Sequence, residues 1–198
     1  VLQRNFFSRP SNIVAPELIG CIIVRRFKEN KILKGMIVET EAYSQEEEAC
    51  HGFKKKTNSN KALFGDPGLF YVYKSYGMHY CLNLVTDKTN FASGVLIRAV
   101  YLYKENERVC SGPGLLTKRL EIDLNFNSLK SYDNQYLTIL KRDGSISDIK
   151  LVQTSRIGIS KAKDLQWRWY LKSSRSISKR AKGDKMPKLK NQFSISSL

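Results

Sequence analysis

Between residues 69 and 86 the chain reads LFYVYKSYGMHYCLNLVT, two aliphatic and aromatic runs over 69–75 and 78–85 separated by Tyr76-Gly77. A two-residue break ending in Gly has the length of a hairpin turn, and Gly supplies the positive φ such turns need. The segment therefore predicts a β-hairpin with a bulky aromatic, Tyr76, at an exposed tip. Residues 21–27 are apolar and β-branched and predict a strand, preceded by a short helix over 13–19 that Ser11-Asn12 caps and Gly20 ends. Residues 35–43 predict a second strand, paired with the first through the polar turn Glu29-Asn30-Lys31. Beyond the hairpin, strands are expected over 94–103 and 136–141, the latter closed by Asp143-Gly144, with shorter ones within 149–159 and 169–172. A helix opened by Gly-Pro is expected over 112–120, and a helical turn over 46–50. Strands outnumber helices and follow one another along the chain. This argues for an α+β fold, a single domain with a mainly antiparallel curved β-sheet, a protruding hairpin and a few packed helices.

Charge limits the partners. Lys and Arg number 34 against 18 Asp and Glu, a formal net charge of +16, while 41% hydrophobic residues supply material for a core. Such an excess favours a polyanion, because each neutralised phosphate releases counterions. Lys54, Lys55, Lys56 and Lys61 make a basic loop of residues 52–61. From Lys179 the composition shifts to Lys, Arg, Gly, Pro and Ser, so the expected organisation is one domain over 1–178 and a flexible basic tail over 179–198. No apolar run is long enough to span a bilayer, and residues 1–10 lack the pattern of a signal peptide. Cys21, Cys50, Cys81 and Cys110 lie far apart with no CxxC pair. An intracellular protein with reduced thiols and no membrane partner is expected.

In ETEAY, residues 39–43, period-two alternation places Glu39, Glu41 and Tyr43 on one strand face and Val38, Thr40 and Ala42 on the other. Taken alone, the carboxylate face reads as a solvated sheet surface. Its chemical reading is a general base beside an aromatic wall: hydrolysis at an anomeric carbon develops positive charge, and a carboxylate both activates water and offsets that charge. The hairpin adds Tyr71 and Tyr73 on one face, and His79, Cys81 and Asn83 on one face of the return strand. Aromatics placed this way serve either a core or stacking on planar bases. The pairs Cys50-His51 and His79-Tyr80-Cys81 are too closely spaced for a structural zinc site. GxGxxG, Walker and GxSxG motifs are absent, so neither metal nor cofactor is expected.

Taken in order, GMIVETEAY (35–43), His51, Pro67-Gly68, Tyr71-Val72-Tyr73, Tyr76-Gly77-Met78, Cys81-Leu82-Asn83, Leu96-Ile97-Arg98-Ala99, Ser111-Gly112-Pro113 and Arg156-Ile157-Gly158 closely resemble the alkyladenine (3-methyladenine) DNA glycosylase family over roughly residues 6–178. The resemblance implies a monofunctional enzyme that flips alkylated or deaminated purines out of double-stranded DNA and hydrolyses the N-glycosidic bond, without lyase chemistry. It implies Glu41 as general base, with Arg98 and the Ile157 carbonyl holding the water. Tyr43, His51 and Tyr73 become the walls of the base pocket, Asn83 its floor, and Tyr76 the residue that fills the gap left in the duplex. A monomer is expected, in a bacterial cytoplasm or a DNA-containing compartment of a eukaryotic cell. The loop departs from the family pattern at Asn58 and Ser59, where Pro and Arg are usual. The competing reading is a non-catalytic basic RNA-binding or ribosome-associated protein whose tyrosines stack on unpaired bases. A carboxylate at position 41 would repel phosphate there without performing a task.

Overall fold

The computed structural model describes residues 1–28, 30–75, 77–142 and 149–188. Helices α1 (Arg4–Phe7) and α2 (Ser11–Leu18) lead into strands β1 (Ile22–Arg26) and β2 (Ile32–Ser44). Then come β3 (Phe70–Ser75), β4 (His79–Val85), β5 (Ser93–Leu102) and helix α3 (Pro113–Arg119), followed by the short strands β6 (Leu137–Leu140), β7 (Leu151–Thr154) and β8 (Arg168–Leu171). The sheet runs β3-β4-β5-β2-β1-β6, with β8 added to β2 and β7 to β8, and its pairings are antiparallel. It curls into a half-barrel within one α+β domain.

Strand β2, 13 residues long, is the spine. Along one edge it pairs with β5 from Gly35 to Ser44. Its other edge is divided, β1 taking Ile32 to Met36 and β8 taking Glu39 to Glu41. The β2–β5 register shifts between Ile37 and Thr40. Because of this bulge Ile37 and Val38, adjacent in sequence, both belong to the core. From Val38 onward the expected alternation holds. Val38 and Ala42 pack into the core and Thr40 Oγ1 donates to the Ala15 carbonyl at 2.8 Å, while Glu39, Glu41 and Tyr43 turn the other way. The face they occupy is not solvated, since Glu39 and Glu41 are both 0% exposed.

The main core joins α2 (Val14, Ala15, Leu18) and Leu116 of α3 to the sheet residues Phe70, Val72, Leu82, Leu84, Val95 and Ile97. The intervening residues of the same strands face the other side. There Tyr71 joins a second apolar cluster with Cys50, Leu63, Phe64, Val85 and Ala92, against which Tyr43 and Tyr73 pack. The alternation of β3, β4 and β5 thus divides core from candidate site. At the hairpin tip Gly77 has φ +68° with open space where a Cβ would stand, and Met78 is 78% exposed, which suits the expected protruding turn. Tyr76, Glu29 and the expected Asp143-Gly144 turn lie outside the described residues.

Several expectations need correction. The helix expected over 13–19 starts at Ser11 with Pro10 at the N-cap, and Ser11 Oγ donates instead to the Tyr43 carbonyl at 3.0 Å, tying α2 to the site strand. Of the stretch 149–159 only Leu151–Thr154 is strand; the following loop carries Arg156 and Ile157. The basic segment from Lys179 begins inside packed structure. The Lys179 carbonyl accepts from Arg168 at 2.7 Å, the Ala181 amide donates to the Tyr170 hydroxyl at 3.0 Å, and Arg180 pairs with Asp184 at 2.5 Å. Its lysines are exposed, but the Lys179 carbonyl and the Ala181 amide bond to β8 side chains, and Arg180 is held by Asp184 and by the Lys172 and Ser174 carbonyls just beyond that strand. Among the described residues no helix is long and apolar enough to cross a membrane.

Candidate active site

A cavity of about 570 Å³ opens on the face opposite the main core, a size suited to a nucleoside-like ligand. Strand β2 supplies Tyr43, the turn after it His51, β3 Tyr71 and Tyr73, β4 Cys81 and Asn83, β5 Leu96 and Arg98, and the loop after β7 Ile157 and Gly158. The structure thus gathers Tyr43, His51, Tyr73, Asn83, Arg98 and Ile157 around one space. Glu41 lies immediately behind it.

Glu41 is fully buried and fully bonded. Its Oε1 accepts from the Ile157 amide at 2.8 Å, and its Oε2 from the Tyr43 hydroxyl at 2.8 Å and Arg98 Nη1 at 3.2 Å. All three donors line the cavity. Ile157 meets Glu41 through its N–H. Burial alone would weaken the Arg98 cation, but Glu41 and Glu39 outweigh it and raise its pKa. Burial and then the charge of Glu41 push the Tyr43 phenol well above its ordinary range, so it stays a neutral donor. Glu39, indistinguishable from Glu41 by spacing, is spent elsewhere: Arg168 Nη1 lies 2.8 Å away, and the Ser178 amide and hydroxyl at 2.7 and 2.9 Å.

The aromatic residues form two walls. His51 and Tyr73 meet edge to face, ring centroids 4.5 Å apart at 72°, which leaves no gap for a purine between them and makes them one surface. His51 Nδ1 lies 3.0 Å from the Tyr71 hydroxyl, and although its ring is partly open to solvent, burial lowers its pKa and favours neutral imidazole. Tyr43 is the second wall, and Arg156 backs it with a guanidinium 4.6 Å from the ring centroid. That cation is itself fixed by Glu47, at 2.7 and 2.9 Å, and by the carbonyls of Ala42 and Ala162 at 2.9 and 3.2 Å. Asn83 is buried, its amide nitrogen donating to the Tyr71 carbonyl at 3.0 Å.

Sequence reasoning missed Glu47 and the stacking role of Arg156, which appeared only within the RIG motif. It also missed Arg168 and Ser178. One glutamate in the run Glu46-Glu47-Glu48 carries no signal that it, and not a neighbour, pairs with a residue 109 positions away. In the loop of residues 52–61, the buried Asn60 donates to the carbonyls of His51 and Lys55 at 2.8 and 3.0 Å and accepts from the Thr57 amide at 2.7 Å. Thr57 and Asn60, which keep the residues usual in the resembled family, therefore hold the loop, while Asn58 and Ser59 are exposed. Among the described residues no three His, Cys, Asp or Glu side chains gather as a metal site would require.

The family described as Methylpurine-DNA glycosylase (MPG) matches residues 5–175. Proteins named "Putative 3-methyladenine DNA glycosylase" are similar over most of their length. The one from Trichodesmium erythraeum is 42% identical over 196 residues, covering 90% of this chain and 98% of that protein. The one from Carboxydothermus hydrogenoformans is 42% identical over 192 residues (91% and 100%), and the one from Francisella tularensis subsp. tularensis 39% over 179 residues (84% and 92%). The chain belongs to the methylpurine-DNA glycosylase family, which makes it a DNA glycosylase of base excision repair.

Proposed function

We propose that this chain acts as a monomer on damaged duplex DNA, flipping alkylated or deaminated purines of the 3-methyladenine, 7-methylguanine and hypoxanthine class into the cavity and hydrolysing them from the sugar. The observation that carries this reading is the buried carboxylate Glu41, whose three donors, Tyr43, Arg98 and the Ile157 amide, all line an aromatic pocket. The extruded purine stacks between Tyr43 and the His51–Tyr73 wall, with Asn83 at the floor. Water takes the place of one of the donors on Glu41, Arg98 and the Ile157 carbonyl hold it, and its proton passes to the carboxylate as its oxygen bonds to the anomeric carbon. The bond from that carbon to the purine nitrogen breaks with its electron pair passing to the base, and an abasic sugar remains. A cationic alkylated purine thus leaves neutral, and a hypoxanthine anion takes up a proton from water. Glu41 also offsets the positive charge that develops on the sugar. No lysine forms a Schiff base, so strand cleavage does not follow. A net charge of +16, with exposed Lys74 and Lys161 at the rim, supports the contact with phosphates.

Duplexes each carrying one lesion, incubated with enzyme and then treated with alkali to reveal abasic sites, test the reading and rank the substrates. Tight RNA binding with no base release from any of them would favour the non-catalytic alternative.

Tyr76 is proposed as the wedge that replaces the extruded nucleotide, supported by the solvent exposure of its neighbours Gly77 and Met78. Tyr76→Ala is expected to leave the melting temperature unchanged and to reduce the flipped population, more for a stably paired lesion than for a mismatched one. The fluorescence of ethenoadenine, which rises on unstacking, reads flipping directly. Loss of on the order of 3 to 5 kcal/mol of stability would instead make Tyr76 a core residue.

A further inference from the structure

We infer that Ser178 is a positioning residue for the excision reaction, aiming Arg98 at Glu41 from outside the cavity lining. The inference rests on the proposed roles of those two residues. Ser178 belongs to a C-terminal strap that leaves β8 and reaches Glu39 on the carboxylate face of the site strand. The strap is well anchored: Ser176 and Ile177 are buried, the Ile177 carbonyl accepts from Arg108 at 3.0 Å, and Arg175 pairs with Glu107 at 2.5 and 2.9 Å.

A serine hydroxyl has one proton and two acceptor sites. The Ser178 amide is committed to Glu39 Oε2 at 2.7 Å and its hydroxyl lies 2.9 Å from Glu39 Oε1, an oxygen that can only accept. With its proton committed there, the hydroxyl oxygen accepts from Arg98, whose Nε and Nη2 lie 3.4 and 3.5 Å away. Nη1, at the far end of the same rigid plane, reaches Glu41 at 3.2 Å. Because a guanidinium is a planar fork, holding one edge aims the other. Glu39 is the fixed end of this chain. It is wholly buried and anchored by Arg168, which also donates to the Ser155 carbonyl at 2.8 Å, in the loop that presents the Ile157 amide to Glu41. Direct contact between Arg98 and Glu39 is looser, at 3.6 Å. Without the Ser178 hydroxyl, the Nε edge of Arg98 has Glu39 as its nearest charge, and the guanidinium closes on Glu39 and leaves Glu41.

The test compares Ser178→Ala, Ser178→Thr, Glu41→Gln and Arg98→Ala by single-turnover release of methylpurines from duplex DNA treated with dimethyl sulfate. Affinity for a duplex with a tetrahydrofuran abasic analogue and thermal melting are measured alongside. Ser178→Ala is expected to slow release about tenfold or more at saturating enzyme, since small misplacements of catalytic groups have effects of that order. Binding and melting stay at wild-type values, and Ser178→Thr, which keeps the hydroxyl, restores the rate. Wild-type release by Ser178→Ala beside an inactive Glu41→Gln overturns the positioning role and leaves the catalytic reading intact. Early melting of Ser178→Ala with no rescue by Thr also overturns it, making the strap purely structural. Full activity in both Glu41→Gln and Arg98→Ala removes the reading on which the inference rests.

Discussion

Glu41→Gln is expected to lower single-turnover excision by on the order of 10² to 10⁴, the usual contribution of a general base, while the chain still folds and binds damaged DNA. The amide oxygen can still accept from the Ile157 N–H, now at 2.8 Å from Glu41 Oε1, so the loop stays in place. On the other side an NH₂ group would face Arg98 Nη1, two donors where a carboxylate oxygen and a donor now meet at 3.2 Å. Arg98 then has Glu39 as its remaining anion, and the group that would take the proton of water is gone. Affinity for an abasic-site duplex should hold or rise, because a negative charge near the phosphates is removed. Rapid quench gives the rate and gel shift the affinity. Near wild-type excision by Glu41→Gln together with a dead Glu39→Gln would exchange the roles of the two carboxylates.

Glu47→Ala is expected to cause the largest loss of stability of the substitutions considered. It would leave the Arg156 cation, whose side chain is wholly buried, with two carbonyls and the faces of Tyr43 and Trp167. Removing one partner of a buried pair costs about 3 to 5 kcal/mol, because the other charge is stranded. For a chain of this size that lowers the melting temperature by on the order of 10 °C. Arg156→Lys keeps the charge and loses the fork that spans both Glu47 oxygens, so it should fall between wild type and Glu47→Ala. Thermal melts followed by circular dichroism measure both, and a shift within about 2 °C for Glu47→Ala would show that the pair contributes little. Tyr43 loses its backing in either variant, so weaker stacking of the extruded base should accompany the stability loss.

The strand faces around the site were legible because they rest on the period-two rule. The hairpin, the core side of β3 to β5 and the common face of Glu39, Glu41 and Tyr43 all follow from it. The reading of ETEAY succeeds because it begins after the adjacent core pair Ile37 and Val38; extended back through Ile37 it would have put that core residue on the carboxylate face. Spacing could not separate Glu39 from Glu41, since both are alternate residues of one strand. What separates them is the chain that reaches each, the strap with Ser178 for Glu39 and the loop with Ile157 for Glu41. Composition misled at the basic end, because Lys179 and its neighbours look solvated when only their side chains are counted. The hydrogen bonds of that segment run through backbone groups and Arg180, which composition does not register.

Cys21, Cys50, Cys81 and Cys110 are all free and buried. Burial raises each thiol, Cys21 and Cys50 to about 11 and Cys110 to about 12, with Cys81 also shifted upward. At neutral pH a thiol of pKa near 11 is ionised in about one molecule in ten thousand, and the thiolate is the form that reacts with electrophiles. Iodoacetamide is therefore expected to label Cys21, Cys50 and Cys110 only as fast as the chain unfolds, with Cys81, which lines the cavity, the one thiol a small reagent can approach in the folded chain; rapid labelling of any of the other three would show an accessible thiolate. Three of the four thiols are closed off by the packed apolar clusters, which concentrates the thiol chemistry of the folded chain at the cavity.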